Sequence, residues 1–382
     1  MMSSFYQEHL QSQLTRSQYL LLSCLIHLLQ TLKQVRLETL ATALPLSITF
    51  ESRCRKLQRF LQLPQLRFKT LWFPIILAWI KAEFNANSVL SVAIDRTSWT
   101  GVNLLVVSLI VDKRAIPLYC ERLNKAGSSN LSEQQSVLQP VLELLKDYQL
   151  VVLGDREFCS VKLGHWLAEA LLQVWFCLRL RRNEQVQLET QLWVELAALG
   201  VVPGTSLYLN DVQLTHQKGF GKFNLAAKWK KRYRGWNPTE GWFILTNLPS
   251  AEAAITAYQR RFSIKELFRD LKGGGYNLED IALSSERLMA LLVVLTIAYA
   301  QATWSGKQLK RMGVQTYIAR VSEPQRREKR HSNFYIGLYG QTWLNYWGYC
   351  QEMMAELMQL TPNKRKYYRK GLRAMELILS AS

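Results

Sequence analysis

Ser91-Val92-Ala93-Ile94-Asp95 and Leu150-Val151-Val152-Leu153-Gly154-Asp155 are two apolar, β-branched runs, each closing on an aspartate. Both are too short for an amphipathic helix, and unbroken apolar runs of this length suit strands buried on both faces of a parallel sheet. A carboxylate at the end of such a strand emerges at the sheet edge. Two of them on neighbouring strands meet there.

Working outward, Val89 to Ile94, Val102 to Val111 and Ile116 to Arg122 read as three consecutive strands, with Thr100-Gly101 and Asp112-Lys113 supplying the turns. Leu131 to Leu145 then reads as a helix, Leu150 to Gly154 as a strand, Val161 to Leu172 as a helix and Val174 to Leu180 as a strand. The order is βββαβαβ, an α/β class, with Asp95 on the first strand and Asp155 on the fourth. Those strands are neighbours in an RNase H-like sheet.

This core divides into a first part at 86–182 and a second at 248–304, separated by a β-rich insertion at 183–247. In the insertion, Ser206 to Leu209, Asp211 to Leu214, Phe223 to Lys228 and Trp242 to Thr246 alternate with Gly and Pro breaks. Between Lys218 and Arg234 the cations Lys218, Lys222, Lys228, Lys230, Lys231, Arg232 and Arg234 interleave with Phe220, Phe223, Trp229 and Tyr233. Such a segment either stacks bases while neutralising phosphates or is a solvated hairpin. The second part of the core holds a long helix at Ala251 to Leu271, the break Gly273-Gly274-Gly275-Tyr276, and a hydrophobic helix at Ser285 to Trp304. The three glycines lack the spacing of a phosphate-binding loop.

Helical regions flank the core. Residues 1–85 carry Leu-rich helical segments at Tyr19 to Leu32 and Leu57 to Ile80. Between them a short helix near Val35 to Leu44, Pro45, and a helix bearing Arg53, Arg55, Lys56 and Arg59 have the order of a helix-turn-helix that docks in a major groove. Residues 305–382 are helical and basic, with charge runs at Gln325 to His331 and Asn363 to Arg369 that either grip phosphates or form solvated faces.

The 382 residues hold 48 Lys+Arg against 29 Asp+Glu, a net charge of +19. A surplus of that size predicts salt-sensitive binding to a polyanion, above all double-stranded DNA. The six cysteines are scattered without a Cys-x-x-Cys pair, so neither a zinc cluster nor a disulfide framework is expected and a reducing compartment is. The most apolar run, Met289 to Ala300, falls short of a bilayer span. No basic segment followed by a small-residue cleavage site marks the N-terminus. The expectation is a cytoplasmic, nucleoid-associated protein without a membrane partner.

A third carboxylate comes from the helix Tyr258-Gln259-Arg260-Arg261-Phe262-Ser263-Ile264-Lys265-Glu266, which continues to Lys272. Three acidic groups converging from separate elements suit two hard cations, Mg²⁺ or Mn²⁺, which take oxygen ligands. With Ala93-Ile94-Asp95-Arg96-Thr97, Leu153-Gly154-Asp155-Arg156-Glu157-Phe158 and the segment Tyr258 to Asp280, the chain resembles the DDE transposases of the IS4 family from about Ser88 to Trp304. That family carries a Tyr-x2-Arg-x3-Glu-x6-Lys helix after a β insertion. Here the glutamate slot, counted from Tyr258 and Arg261 or back from Lys272, holds Lys265, with Glu266 next to it.

The resemblance implies a transposase that cuts transposon ends and joins the 3′-OH to target DNA by two-metal phosphoryl transfer. Asp95, Asp155 and Glu266 would be both catalytic residues and metal ligands. Arg261, Lys272 and Arg156 would contact phosphates, Tyr258 would position the end, and Lys230, Lys231 and Arg232 would add to the DNA surface. Trp236 or Trp242 would stack an extruded base. A homodimer would pair two ends. The alternative is a catalytically inactive DNA-binding relic or repressor, because Lys265 puts an ammonium in the glutamate slot. On an ideal helix, at about 100° per residue, Glu266 lies about a quarter turn from the face shared by Tyr258, Arg261, Lys265 and Lys272, unless a local 3₁₀ or π distortion swings it back.

Overall fold

Ten strands form one mixed sheet in a computed structural model that describes residues 4–170, 174–188, 191–215, 222–231, 238–322, 324 and 331–381. Contacts divide the chain into two units, Met1–Ile75 with Arg269–Ser382, and Ile76–Phe268. The second unit holds the whole sheet.

The strands are β1 (Val89–Trp99), β2 (Val102–Val111), β3 (Arg114–Arg122), β4 (Gln149–Gly154), β5 (Val174–Arg179), β6 (Gln185–Gln187), β7 (Trp193–Glu195), β8 (Ser206–Leu214), β9 (Lys222–Lys228) and β10 (Trp242–Thr246). Their spatial order is β3-β2-β1-β4-β5-β10-β9-β8-β6-β7. Among the described residues, only β1 with β4 and β4 with β5 run parallel. The helices Leu131–Leu144 and Val161–Ala170 supply the crossovers those parallel pairs require. Asn130 and Glu133 close the start of the first as a reciprocal capping box. His165, on the second, packs edge-on to Phe223.

One expectation changes. β1 does not end at Asp95 but runs to Trp99, because Arg96 to Trp99 continue the hairpin ladder with Leu105 to Val102 of β2. Its parallel ladder with β4, however, stops at Ile94 opposite Gly154, so Asp95 and Asp155 sit side by side just past the last shared rung. The strands of the β-rich insertion at 183–247 belong to this same sheet. β10 pairs antiparallel with β5, and β9, β8, β6 and β7 follow, so the region extends the same sheet. Edge strand β5 thereby gains a partner for its open ladder.

Gly154 is required where β4 ends. A Cβ there would lie 2.7 Å from Cβ of Phe158 and 3.0 Å from the Leu178 side chain, so only glycine lets the next turn fold back onto the sheet. That turn, Arg156–Phe158, begins at Asp155, whose carboxylate accepts the Glu157 N–H.

The expected long helix at Ala251 to Leu271 is two helices, Ala251–Arg260 and Ser263–Leu271. At the junction the N–H groups of Arg261, Ile264 and Lys265 donate to carbonyls three residues back, at Tyr258, Arg261 and Phe262. This tightened geometry shifts the register of everything beyond it.

The other unit is helical. Its N-terminal part contains Ser4–Gln13, Arg16–Leu32, Leu37–Ala43 and Phe50–Phe60, then a π-helical turn at Phe68–Trp72. The expected helix from Leu57 to Ile80 is interrupted because Pro64 lacks an N–H and disfavours helical backbone at Leu63. Leu37–Ala43, the Pro45 turn and Phe50–Phe60 keep the anticipated helix, turn and basic-helix order, with Arg55 and Arg59 exposed.

The apolar helix Ser285–Arg311 is longer than its most hydrophobic run suggested. At 27 residues it could cross a membrane by length and composition, but 83% of its most apolar window is buried inside the protein. Its covers include Arg16–Leu32, whose Gln30 amide donates to the Ala298 carbonyl at 3.2 Å, and the helix Asn333–Gln359. Gly306 and Gly337 allow that second approach, since a Cβ on either would fall 1.8 Å from a backbone oxygen of the facing helix. The last helix, Arg365–Ser380, seals this end through Ala374 and Ile378 against Leu309, Val314 and Ile336.

Candidate active site

The adjacent ends of β1 and β4 place two carboxylates in one nook with very different exposures. The Asp95 side chain is 3% exposed, whereas Asp155 is 28% exposed. Asp95 Oδ1 accepts the Arg96 N–H at 2.8 Å, and Asp155 Oδ1 accepts the Glu157 N–H at 2.9 Å. Their Oδ2 atoms face the broken helix pair.

Arg261 arrives from the junction. Its Nη1 lies 3.3 Å from Asp95 Oδ2 and 3.8 Å from Asp155 Oδ2, and its side chain is 5% exposed. One turn on, Lys265 Nζ is 2.8 Å from Asp95 Oδ2. The Asp95 carboxyl is nonetheless held above the ordinary carboxylate range. Burial dominates, assisted by the Asp155 charge and opposed by Lys265 and Arg261.

Glu266 does not join the two aspartates. Its Oε2 faces Nη1 of Arg114, at the start of β3, at 3.4 Å. The tight junction anticipated as a way of swinging Glu266 inward is present, yet it is Lys265 that it brings to Asp95. Among the described residues no three His, Cys, Asp or Glu side chains converge as metal ligands. Two carboxylates already matched by a guanidinium and an ammonium offer no net negative site, so the expected pair of Mg²⁺ or Mn²⁺ ions does not fit these residues.

The other anticipated residues are distributed. Tyr258 is fully buried, its ring 5.3 Å from that of Trp242 and 5.5 Å from the Arg261 guanidinium carbon, so it buttresses Arg261 rather than facing outward. Trp242 is buried on β10 as core, with Lys230 Nζ 4.8 Å above its ring. Lys231 is exposed. Arg156 pairs with Glu240, which Arg179 also contacts at 2.6 Å. Lys272 pairs with Glu279 at 2.7 Å. Arg232 and Trp236 lie outside the described residues.

Arg156 and Glu157, flanking Asp155, could on sequence alone either support that aspartate or pair with each other at the surface; in the structure they pair elsewhere, Arg156 with Glu240 and Glu157 with Arg96. Arg96 Nε binds Glu157 at 2.8 Å, and the other Glu157 oxygen accepts the N–H and hydroxyl of Ser129 at 2.8 Å each. Ser129, Arg114 and Glu240 are partners the sequence reading missed. No motif signals Ser129, Arg114 or Glu240, because each is supplied by a strand or loop distant in sequence from the residue it meets. A cavity of about 820 Å³, lined in part by Ser91, Lys113, Arg260, Phe262, Lys265 and Glu266 but by neither aspartate, opens to solvent.

No protein-family model matches the chain, and no curated protein matches it. Among solved structures it is similar to the piggyBac transposase in a synaptic complex with hairpin DNA, with 11% identity and a TM-score of 0.46 over 99% of this chain and 81% of that one. A likeness at that level carries no functional argument.

Proposed function

We propose that the chain is a transposase of the DDE type, IS4-like in motif order, that binds the ends of its element as double-stranded DNA and, in this form, does not cut them. The strand order β3-β2-β1-β4-β5 with a parallel β1 and β4 supports an RNase H-like core. Asp95 and Asp155 on adjacent strands, followed by the Tyr258, Arg261 and Lys272 series, support the DDE assignment. The net charge of +19 supports a polyanionic partner, and the scattered cysteines suit a reducing cytoplasm, where nucleoid DNA is that partner.

One observation carries the inert reading: Lys265 Nζ lies 2.8 Å from Asp95 in the position where the family pattern has its glutamate. An ammonium there repels divalent cations and completes the charge balance of the nook without them. In this chain the aspartates therefore anchor Arg261 and Lys265, and so fix the helix pair against the sheet.

The second reading, an active cutting enzyme, is favoured by the 48% exposure of the Lys265 side chain, whose long stem can withdraw into solvent. Gel-shift and nicking assays separate the two. Purified protein should shift duplexes from the element boundary in preference to unrelated duplexes, with affinity falling by about 10³ or more between 50 and 200 mM salt. It should leave both strands intact in Mg²⁺ or Mn²⁺. Equal binding to unrelated DNA would overturn end recognition, and metal-dependent nicking would select the second reading.

A further inference from the structure

The last helix, Arg365–Ser380, has two unlike halves. Its C-terminal half is seated in the protein: Ala374 and Ile378 are buried, and the Ser305 hydroxyl donates at 3.0 Å to the carbonyl of Ala381, just past the helix end. Its N-terminal half buries no side chain and, with the residue before it, carries Lys364, Arg365, Lys366, Arg369, Lys370 and Arg373, all exposed. At about 100° per residue, Arg365, Arg369 and Arg373 fall in one row and Lys366 and Lys370 in the next, so the cations cover about 140° of one side over about 12 Å. Among the described residues no carboxylate pairs with any of the six. Glu376 is the single acid the helix contains.

This placement works against the helix. Like charges four residues apart repel, and cations near an N-terminus oppose the helix dipole, yet the first turn holds no acid and the last turn no base. Local rules broken without gain inside the fold point to a ligand outside it. We propose that the two rows grip the phosphates of double-stranded DNA without reading its sequence. About 12 Å of duplex presents about seven phosphates, enough for every cation in the rows. The helix carries no Asn or Gln to bond base edges, and phosphate contacts position a duplex without specifying it. A lipid surface fits less well, because among the described residues of 364–373 the one exposed apolar side chain is Tyr367, and Ala374 and Ile378 are already buried. The inference rests on the reading of the chain as a DNA binder but not on recognition of element ends: this helix holds duplex of any sequence.

Arg365→Gln with Arg369→Gln and Arg373→Gln should weaken binding of a labelled duplex unrelated to the element at least about tenfold, and should lower the slope of log affinity against log salt by about three, at about 0.9 per phosphate contact. A charge-matched control at three exposed arginines elsewhere, Arg16→Gln with Arg67→Gln and Arg320→Gln, should lose less than about threefold. The helix variant should keep the wild-type circular dichroism spectrum and melt no lower, since it loses repulsion rather than packing. Its preference for boundary over unrelated duplex should be kept or raised, because only the sequence-independent share of binding is lost. Helix and control variants that weaken alike, or an unchanged salt slope, would overturn the proposal. So would loss of end preference in the helix variant, which would assign the rows to sequence reading, or phosphatidylserine vesicles that bind wild type more tightly than the duplex does and lose that binding in the helix variant. Wild type that holds unrelated duplex through this helix yet shows no preference for element ends would overturn the proposed function and leave this inference standing.

Discussion

The ammonium of Lys265 stands 2.8 Å from Oδ2 of Asp95, and Arg261, four residues earlier, stands 3.3 Å from the same atom. Two cations one helical turn apart thus share a single buried carboxylate. Glu266, one residue further, is turned toward Arg114 instead. A single helical step decides which sign of charge the aspartates meet.

Charge reversal at that step should convert the nook into a cation site. Lys265→Glu is expected to bind Mn²⁺ by calorimetry and to nick boundary DNA in Mg²⁺, while wild type does neither. Adding Glu266→Gln to Lys265→Glu should change metal affinity little, because Glu266 faces Arg114. Mn²⁺ binding by wild type that Glu266→Gln abolishes would show that Glu266, not Lys265, turns inward.

Removing the buried cation should be far more damaging than removing the exposed one. Arg261→Met leaves Asp95 buried beside Asp155 with only Lys265 to compensate, and should cost about 3–5 kcal/mol in urea denaturation. Lys265→Met removes a half-exposed partner and should cost no more than about 1 kcal/mol. Similar losses for both would mean that the ion pairs do not organise the nook.

Helix packing gives a test independent of charge. Gly337→Ala places a methyl 1.8 Å from the Ala302 carbonyl oxygen, a backbone atom that cannot yield cheaply, and should lower stability by about 3 kcal/mol or prevent folding. Gly348→Ala, in the same helix with nothing within 4 Å, should be neutral or stabilising by about 0.5–1 kcal/mol. Chemical denaturation of the two variants distinguishes them directly.

Alkaline stability should bear the mark of Cys177. Burial pushes its thiol up to about 12, although a hydrogen bond with Thr246 opposes the shift. Above pH ~9 the unfolded chain releases this proton while the folded chain keeps it, so stability falls as pH rises toward 12. The loss approaches about 1.4 kcal/mol per pH unit for this group. Cys177→Ala should flatten the decline between pH 9 and 11, measured by urea midpoints. An unchanged slope would assign it to other groups.

Local pattern made much of the fold legible. β1 to β5 and the helices between them follow from periodicity and turn residues, because a strand or helix is selected mainly by neighbours two to four residues away. The aspartates, the Tyr258 to Lys272 motif and the lysine in its glutamate slot could all be read in order. The two glycines at the Ser285–Arg311 crossing carried no signal, since their meaning lies in a helix met 31 residues later.

By itself, then, the sequence determined which chemistry-bearing residues exist and which strands carry Asp95 and Asp155. Only the tertiary structure decided that 183–247 extends the sheet rather than forming its own, because strand pairing depends on which edge is open. Only it decided the break at Arg261, and hence that Lys265 faces Asp95 while Glu266 faces Arg114. The direction of a side chain beyond a break is fixed by long-range packing of the helix on the sheet, and a helical projection drawn through the break cannot supply it.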